Sequence, residues 1–520
     1  MYPGTFAASA PERPAVVVAE TGETMTYAEL DRESTRLARA LAEQGLRRGD
    51  VVAMLADNTP WAFVVYWAAQ RSGLYITAIN HHLAPDEAAY IVDDCGARVL
   101  VVAGERPALR ELAVALLDRT PGVEHRLALD GDLDGHEDGA ALLAATSAEP
   151  LADQPRGSDM LYSSGTTGRP KGIKPTLPER QVDEPGDLML AVFGRLYGFG
   201  EDTVYLSPAP VYHAAPLRYG GMIHSTGGTV VLMRRFDAEG ALAAIQRHRV
   251  THGQFVPTMF VRLLKLPRET REAYDVSSLR VVVHAAAPCP VDVKRAMIDW
   301  WGPVLQEYYA STEANGVTLI DSATWLEHPG SVGRAALGVL HICDDEGREL
   351  PAGEVGTVYF ERDEVPFAYH NDEDKTRSAQ HPEHPTWTTT GDLGRVDDEG
   401  FLYLTDRRSF MIISGGVNIY PQEIEDALAL HPRVLDVAVV GIPDEDMGES
   451  VLAVVSPEPG TAADDTLAEE LLDHLRGRIS GYKVPRRLVF DDDLPRTPTG
   501  KLVKGQLRER YASAGVGGPA

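Results

Sequence analysis

The chain has 520 residues, 44% of them hydrophobic and 24% charged, an ordinary globular composition long enough for several structural units. With 49 Lys and Arg against 77 Asp and Glu, its formal charge is −28; such a surface repels nucleic-acid phosphates and anionic lipid, which excludes both as expected partners. Cys95, Cys289 and Cys343 are too few and too scattered for a disulfide framework or a zinc site, and are expected as buried small hydrophobes in a reducing compartment.

The first residues lack the basic-then-apolar order of a signal peptide, and the most apolar run, "WAFVVYWAA", is far shorter than a membrane span, so a soluble cytoplasmic protein is expected. "TYAELDRESTRLARALAEQG" opens on a capping box, Thr26 with Glu29. It places Tyr27, Leu30, Leu37 and Leu41 on one helical face and ends at Gly45. "DVVAMLA" and "ARVLVVAG" read as buried strands around a helix in "WAFVVYWAAQRSG". Farther on, "TVYLSPAP", "GTVVLM", "HGQFVP" and "LRVVVHAAAP" read as strands, with helices such as "DAEGALAAIQRH" between them. The alternation predicts α/β architecture with largely parallel sheets, whose ligands gather at the carboxyl ends of the strands. Around residues 340 to 405, "VGTVYFER" and "GFLYLTDR" alternate like half-exposed antiparallel strands. Beyond "TDRRS" lies a compact unit of domain size. It holds a helix from Pro421, a strand "VLDVAVVGIPD", a helix with a capping box at Thr466 and Glu469, and a closing "RRLVFDDDLP".

"SSGTTGRPKG" joins three glycines to four hydroxyl side chains and a lysine. Glycine lets consecutive N–H groups converge on an anion, so Ser163, Ser164, Gly165, Thr166, Thr167, Gly168 and Lys171 have the makings of a polyphosphate cradle. It is not a Walker loop, because Arg and Pro precede the lysine and Gly follows it.

The longer string "LYSSGTTGRPKGI" resembles the phosphate-binding signature of the adenylate-forming superfamily: acyl-CoA synthetases, nonribosomal adenylation domains and beetle luciferases. Further signatures follow in the family's order, through residue 504. From "YYASTEA" the resemblance implies that Tyr309 stacks on adenine, Thr312 contacts the α-phosphate and Glu313 holds Mg²⁺. "VHAAAP" would face the nucleotide with the backbone of Ala286 and Ala287. "TTTGDLGRVDDEGFLYLTDR" implies Asp392 on the ribose hydroxyls and Arg407 beside the ribose or phosphate. Gly415 and Gly416 of "IISGGVNIYPQEIE" would line a pantetheine tunnel, and Lys501 of "LPRTPTGKLVK" would be the adenylation lysine. His213 of "PAPVYHAAP" takes the gate position of the acyl pocket.

The resemblance also implies a large N-terminal domain, residues 1–406, of stacked α/β subdomains plus a β-barrel-like subdomain. A hinge at 407–409, a small mobile α+β domain at 410–512 and a disordered tail at 513–520 complete the expectation. The implied reaction is attack of a carboxylate on ATP, giving an acyl-adenylate and pyrophosphate, then transfer to CoA. Val204 to Tyr219 contain no carboxylate to pair a substrate ammonium, which disfavours an α-amino acid and leaves a fatty or aryl acid. Phe255 and Met259 are expected to line the acyl pocket. Two departures stand out. A proline-rich "IKPTLPERQVDEPGD" replaces the usual Thr-His pair, and Ser409 and Phe410 replace the usual charged hinge pair. The second keeps open an enzyme that passes its adenylate to an amine. A degenerate acyl or nucleotide sensor is a third reading. "HPEHP" (His381, His384) is expected to be solvated rather than a metal site.

Overall fold

The computed structural model describes residues 1–163, 170–407, 409–444, 446–496 and 502–512, apart from the Ser163 side chain. Its N-terminal part is built on two sheets. One has six strands, and every pairing in it is parallel. The other has nine, with a parallel centre formed in part by Val204–Ser207, His252–Phe255, Val281–His284 and Leu305–Ala310, and antiparallel edges.

Helices fill the space between the sheets. Tyr27–Glu43 starts on the expected capping box: Thr26 Oγ1 accepts from Glu29 N at 3.2 Å, and Glu29 Oε2 accepts from Thr26 N at 2.8 Å. Its buried face carries Tyr27, Leu30, Leu37 and Leu41, as the spacing predicts. Pro60–Gln70 is buried along nearly its whole length, which explains why it shows no amphipathic stripe. With Ala214–Thr226 these helices make the core shared by both sheets. Each sheet has a second core on its outer face, where Ala238–His248, Pro257–Leu264 and Val291–Trp301 cover the nine-stranded sheet.

A five-stranded antiparallel sheet, including Gly356–Glu361, Asp392–Val396 and Leu402–Arg407, stands where the barrel-like subdomain is expected. The C-terminal unit is α+β: Val434–Asp444 and Gly448–Pro457 form its long hairpin, and Pro421–Leu428 and Asp465–Arg476 pack on one core. One expected cap is displaced. Asp464, not Thr466, caps the second helix, accepting from Leu467 N at 3.0 Å; a carboxylate two residues earlier is the better partner for the first free N–H groups.

His381 is packed rather than solvated, whereas His384 is exposed as expected. His381 is buried and bonds Gly347 O at 2.7 Å, while His384 stacks on Trp387 at 4.2 Å. Among the described residues no cluster of His, Cys, Asp and Glu could hold a metal ion, and no helix is long and apolar enough to cross a membrane. The proline-rich departure is a strap on the six-stranded sheet's side of the molecule. Tyr75 Oη donates to Pro175 O at 2.6 Å, Arg48 reaches Glu179 at 2.8 Å, and Arg156 N donates to Arg180 O at 2.8 Å.

Candidate active site

The glycine-rich loop springs from a hairpin. Leu161–Ser163 pairs antiparallel with Lys171–Ile173, so Ser163 and Lys171 face each other across the ladder. Ser164, Gly165, Thr166, Thr167 and Gly168 lie outside the described residues, as does Lys501. Lys171 is half-buried with its Nζ 5.1 Å from the centre of the Tyr369 ring. Its pKa is lowered, first by burial and then by Lys375, while Glu313 works the other way. Tyr369 joins the two motifs, because its Oη donates to Glu313 Oε1 at 2.8 Å. Glu313 is buried and its Oε2 takes no partner among the described residues, so a carboxylate oxygen remains for a hard cation.

Thr312 and Glu313 sit in a turn directly after the strand Leu305–Ala310. Ser311 Oγ donates to Asn315 Oδ1 at 2.9 Å, Asn315 donates to Thr388 O at 3.3 Å, and Ala314 takes φ +54°. Ala286 takes φ +77° in the loop after Val281–His284. A left-handed alanine costs about 1–2 kcal/mol, so this loop carries backbone strain at Ala286.

Tyr309 Oη donates to Asp392 Oδ2 at 2.7 Å, Thr390 Oγ1 donates to the same oxygen at 2.9 Å, and Arg407 Nε donates to Oδ1 at 3.1 Å. Burial raises the Tyr309 pKa well above its usual value, and the Asp392 charge adds to the effect. Three expected nucleotide residues therefore form one hydrogen-bonded group, with Arg407 ending its strand at the proposed hinge.

His213 starts the helix Ala214–Thr226, its ring 4.5 Å from that of Tyr212. Asn58, which no motif singled out, fixes this loop: its Oδ1 accepts from Val211 N at 2.8 Å, and its Nδ2 donates to Ala209 O and Met233 O. Gly415 and Gly416 follow the strand Ile412–Ser414 with φ +57° and +79°. A side chain at Gly415 would strike Met447, whereas Gly416 faces open space.

The acyl lining is corrected. Phe255 stacks against Phe260 and meets Trp301 edge-on on the outer face of the nine-stranded sheet, and Met259 is buried in the same core. Strand alternation is the reason: Gln254 points to the other face, where it meets Tyr205 and Tyr308.

Residues 5–369 match the family model "AMP-binding enzyme", and residues 423–501 match "AMP-binding enzyme C-terminal domain". A feruloyl-CoA synthase of Amycolatopsis sp. is 35% identical over 509 residues, 96% of either chain. The anthranilate CoA ligase AuaEII, solved with anthranoyl-AMP, superposes with a TM-score of 0.83 at 25% identity over 98% of this chain and 96% of its own. The amide bond synthetase McbA from Marinactinospora thermotolerans gives 0.79 at 29% identity over 98% and 99%. The chain belongs to the AMP-binding, adenylate-forming enzyme family. Within it, it is an acid–thiol ligase: ATP activates a carboxylic acid as the acyl-adenylate with release of pyrophosphate, and CoA takes the acyl group.

Proposed function

We propose that this enzyme makes an aryl or fatty acyl-CoA, with its residues acting as follows. Ser163, Ser164, Gly165, Thr166, Thr167, Gly168 and Lys171 hold the ATP polyphosphate. The backbone of Ala286 and Ala287 and the Tyr309 ring hold adenine, and Asp392 and Arg407 hold the ribose. Thr312 contacts the α-phosphate. Glu313 would hold Mg²⁺, which when bound neutralises charge on ATP oxygens. Lys501 donates to the oxygens between which charge develops as the carboxylate attacks. His213 borders the carboxylate. Residues 410–512 turn about 407–409, and Gly415 and Gly416 then line the passage for the CoA thiol. The observation that carries this reading is the linkage of Lys171, Tyr369 and Glu313 on one side and of Tyr309, Asp392 and Arg407 on the other. The absence of a membrane-crossing helix among the described residues and the solubility of CoA and ATP fit a cytoplasmic setting.

A second reading has its own support. Ser409 and Phe410 stand where the family carries charge, and an amide bond synthetase is among the structural neighbours. Pyrophosphate release over a panel of fatty and aryl acids, with CoA, with an amine and with neither, read by mass spectrometry of the products, decides between them. Acyl-CoA formed faster than amide supports the ligase. Adenylate accumulating regardless of CoA and captured by the amine supports the amide synthetase. Acid and ATP binding without pyrophosphate release would mean a sensor.

A further inference from the structure

We propose that Lys265 is a positioning residue for the adenylation step: it docks the C-terminal unit onto the outer helices of the nine-stranded sheet, at the strand end that also braces the segment holding Lys501. The inference rests on the role given to Lys501 above.

Lys265 ends the helix Pro257–Leu264, whose Met259, Phe260 and Leu263 are buried in the core on the outer face of that sheet. A helix packed in this way is a rigid base for the lysine. The ammonium crosses to the C-terminal unit. There Nζ meets Glu458 Oε1 at 2.9 Å, donates to Val434 O and reaches Leu435 O at 3.5 Å. A bulge prepares the receiving surface. Where Val434–Asp444 pairs with Gly448–Pro457, the register shifts between Val434 and Asp436, and an interrupted ladder leaves carbonyls for an outside donor. Glu458 N donates to Arg433 O at 3.0 Å, which keeps Glu458 beside the same end of the hairpin. One carboxylate and two carbonyls around one ammonium make a directional, charge-assisted contact rather than a loose surface pair. Leu430 adds an apolar contact, packing against the same outer core.

The same strand end leads to Lys501. Asp436, two residues from Val434, accepts Arg496 Nε on one oxygen and Nη2 on the other, each at 2.5 Å. Arg496 bridges to Leu502, and Val503 N donates to Pro495 O at 2.8 Å. The two ends of the segment holding Lys501 are thus fastened to each other and to Asp436. From Lys265 to that segment the path is one ion pair, two residues of strand and one bidentate ion pair. The orientation Lys265 holds is also distinct from the one that would serve CoA. The hairpin of Ile412–Ser414 with Val417–Ile419 stands in solvent: Ile413 is 50% exposed, Val417 is 44% exposed, and Gly415 and Gly416 at its tip are exposed with them. Glycines in solvent line no passage, so loss of Lys265 loosens the adenylating orientation and spares the other.

The test uses the full chain, the acid of the fatty and aryl panel that reacts fastest, and its chemically prepared adenylate. Lys265→Met is expected to slow single-turnover pyrophosphate release about tenfold, the value of one hydrogen bond to a charged group, with KM for ATP held. Thioester formation from the preformed adenylate should not fall. Lys265→Arg, which keeps the charge and the reach, should restore most of the lost rate. Equal loss in both half-reactions would show a merely structural role and overturn the assignment, as would an unchanged first half-reaction. Trypsin gives a readout apart from catalysis. Lys265→Met should be nicked after Arg407 or Arg408 about tenfold faster than the parent or Lys265→Arg, at equal stability in urea. Equal nicking rates would overturn the docking. If the parent releases no pyrophosphate from any acid of the panel, the adenylation reading falls, and nicking alone decides whether Lys265 docks the C-terminal unit.

Discussion

Tyr308 and Tyr309 are neighbours on one strand, yet they serve opposite sides of the molecule. Tyr309 faces a charged group, Asp392 with Arg407, at the seam with the antiparallel sheet. Tyr308 faces aromatic rings and a single amide in the core between the two large sheets. Glu307, one residue back, shares the Tyr309 face deeper in the fold, fully buried with Lys294 at 2.5 Å and Trp325 beneath that ammonium at 4.8 Å. A strand whose alternate residues carry different chemistry can thus serve two different environments and an anchor from three consecutive positions. The Tyr309 face is charged, and the Tyr308 face is neutral and aromatic.

The largest expected effect strikes both faces together. Glu307→Gln strands the Lys294 charge in the core and should cost about 3–5 kcal/mol in urea unfolding, with much of that recovered in Lys294→Met/Glu307→Leu. Equal stability of the single variant and the parent would show that the pair does not anchor the strand. Next comes the reaction point itself. Lys501→Ala should lower adenylate formation by about 10²–10³-fold, the value of one donor at developing charge, while thioester formation from preformed acyl-adenylate persists. Equal loss in both half-reactions would remove Lys501 from that role.

Asp392→Ala tests the asymmetry directly. KM for ATP should rise by about 10–100-fold, the range for hydrogen bonds to a charged group, while acid preference stays fixed. A shift in acid preference would mean that the two faces are not independent.

Near neutral pH the smallest effect concerns the shared core. His224 is fully buried, with Nδ1 accepting from Trp67 Nε1 at 3.1 Å and Nε2 donating to Ala15 O at 3.2 Å, and burial lowers its pKa to about 3. The unfolded chain takes up a proton below about pH 6.5 that the folded chain refuses until about pH 3, so stability falls as pH drops through that window. His224 contributes about 1.4 kcal/mol per pH unit to that slope, and His224→Gln should flatten it in urea titrations at successive pH values. An unchanged slope would assign the acid sensitivity to other groups.

Local chemistry was legible where it is carried by contiguous residues. The Thr26–Glu29 box, the buried strands and the order of the nucleotide motifs all depend on neighbours in the chain, while Tyr309, Asp392 and Arg407, which the resemblance assigns to the nucleotide, meet in one hydrogen-bonded group. The tertiary structure decided whatever depends on which face a residue takes or on partners far away in the chain. Phe255 looked like an acyl contact but belongs to the outer core, because one residue of strand alternation separates it from Gln254. Asp159 and Arg218 are 59 positions apart and form an ion pair only after the helix and the sheet edge have packed. Asn58 supports the His213 loop across 153 residues, and Tyr369 reaches Glu313 across 56, with no pattern near either to announce it. The sequence by itself determined the family and the nucleotide chemistry, since those motifs carry their donors and acceptors within a few residues. The neutral, aromatic surroundings of Tyr308 came from the fold alone, since burial and facing direction are properties of packed sheets and helices rather than of any short string.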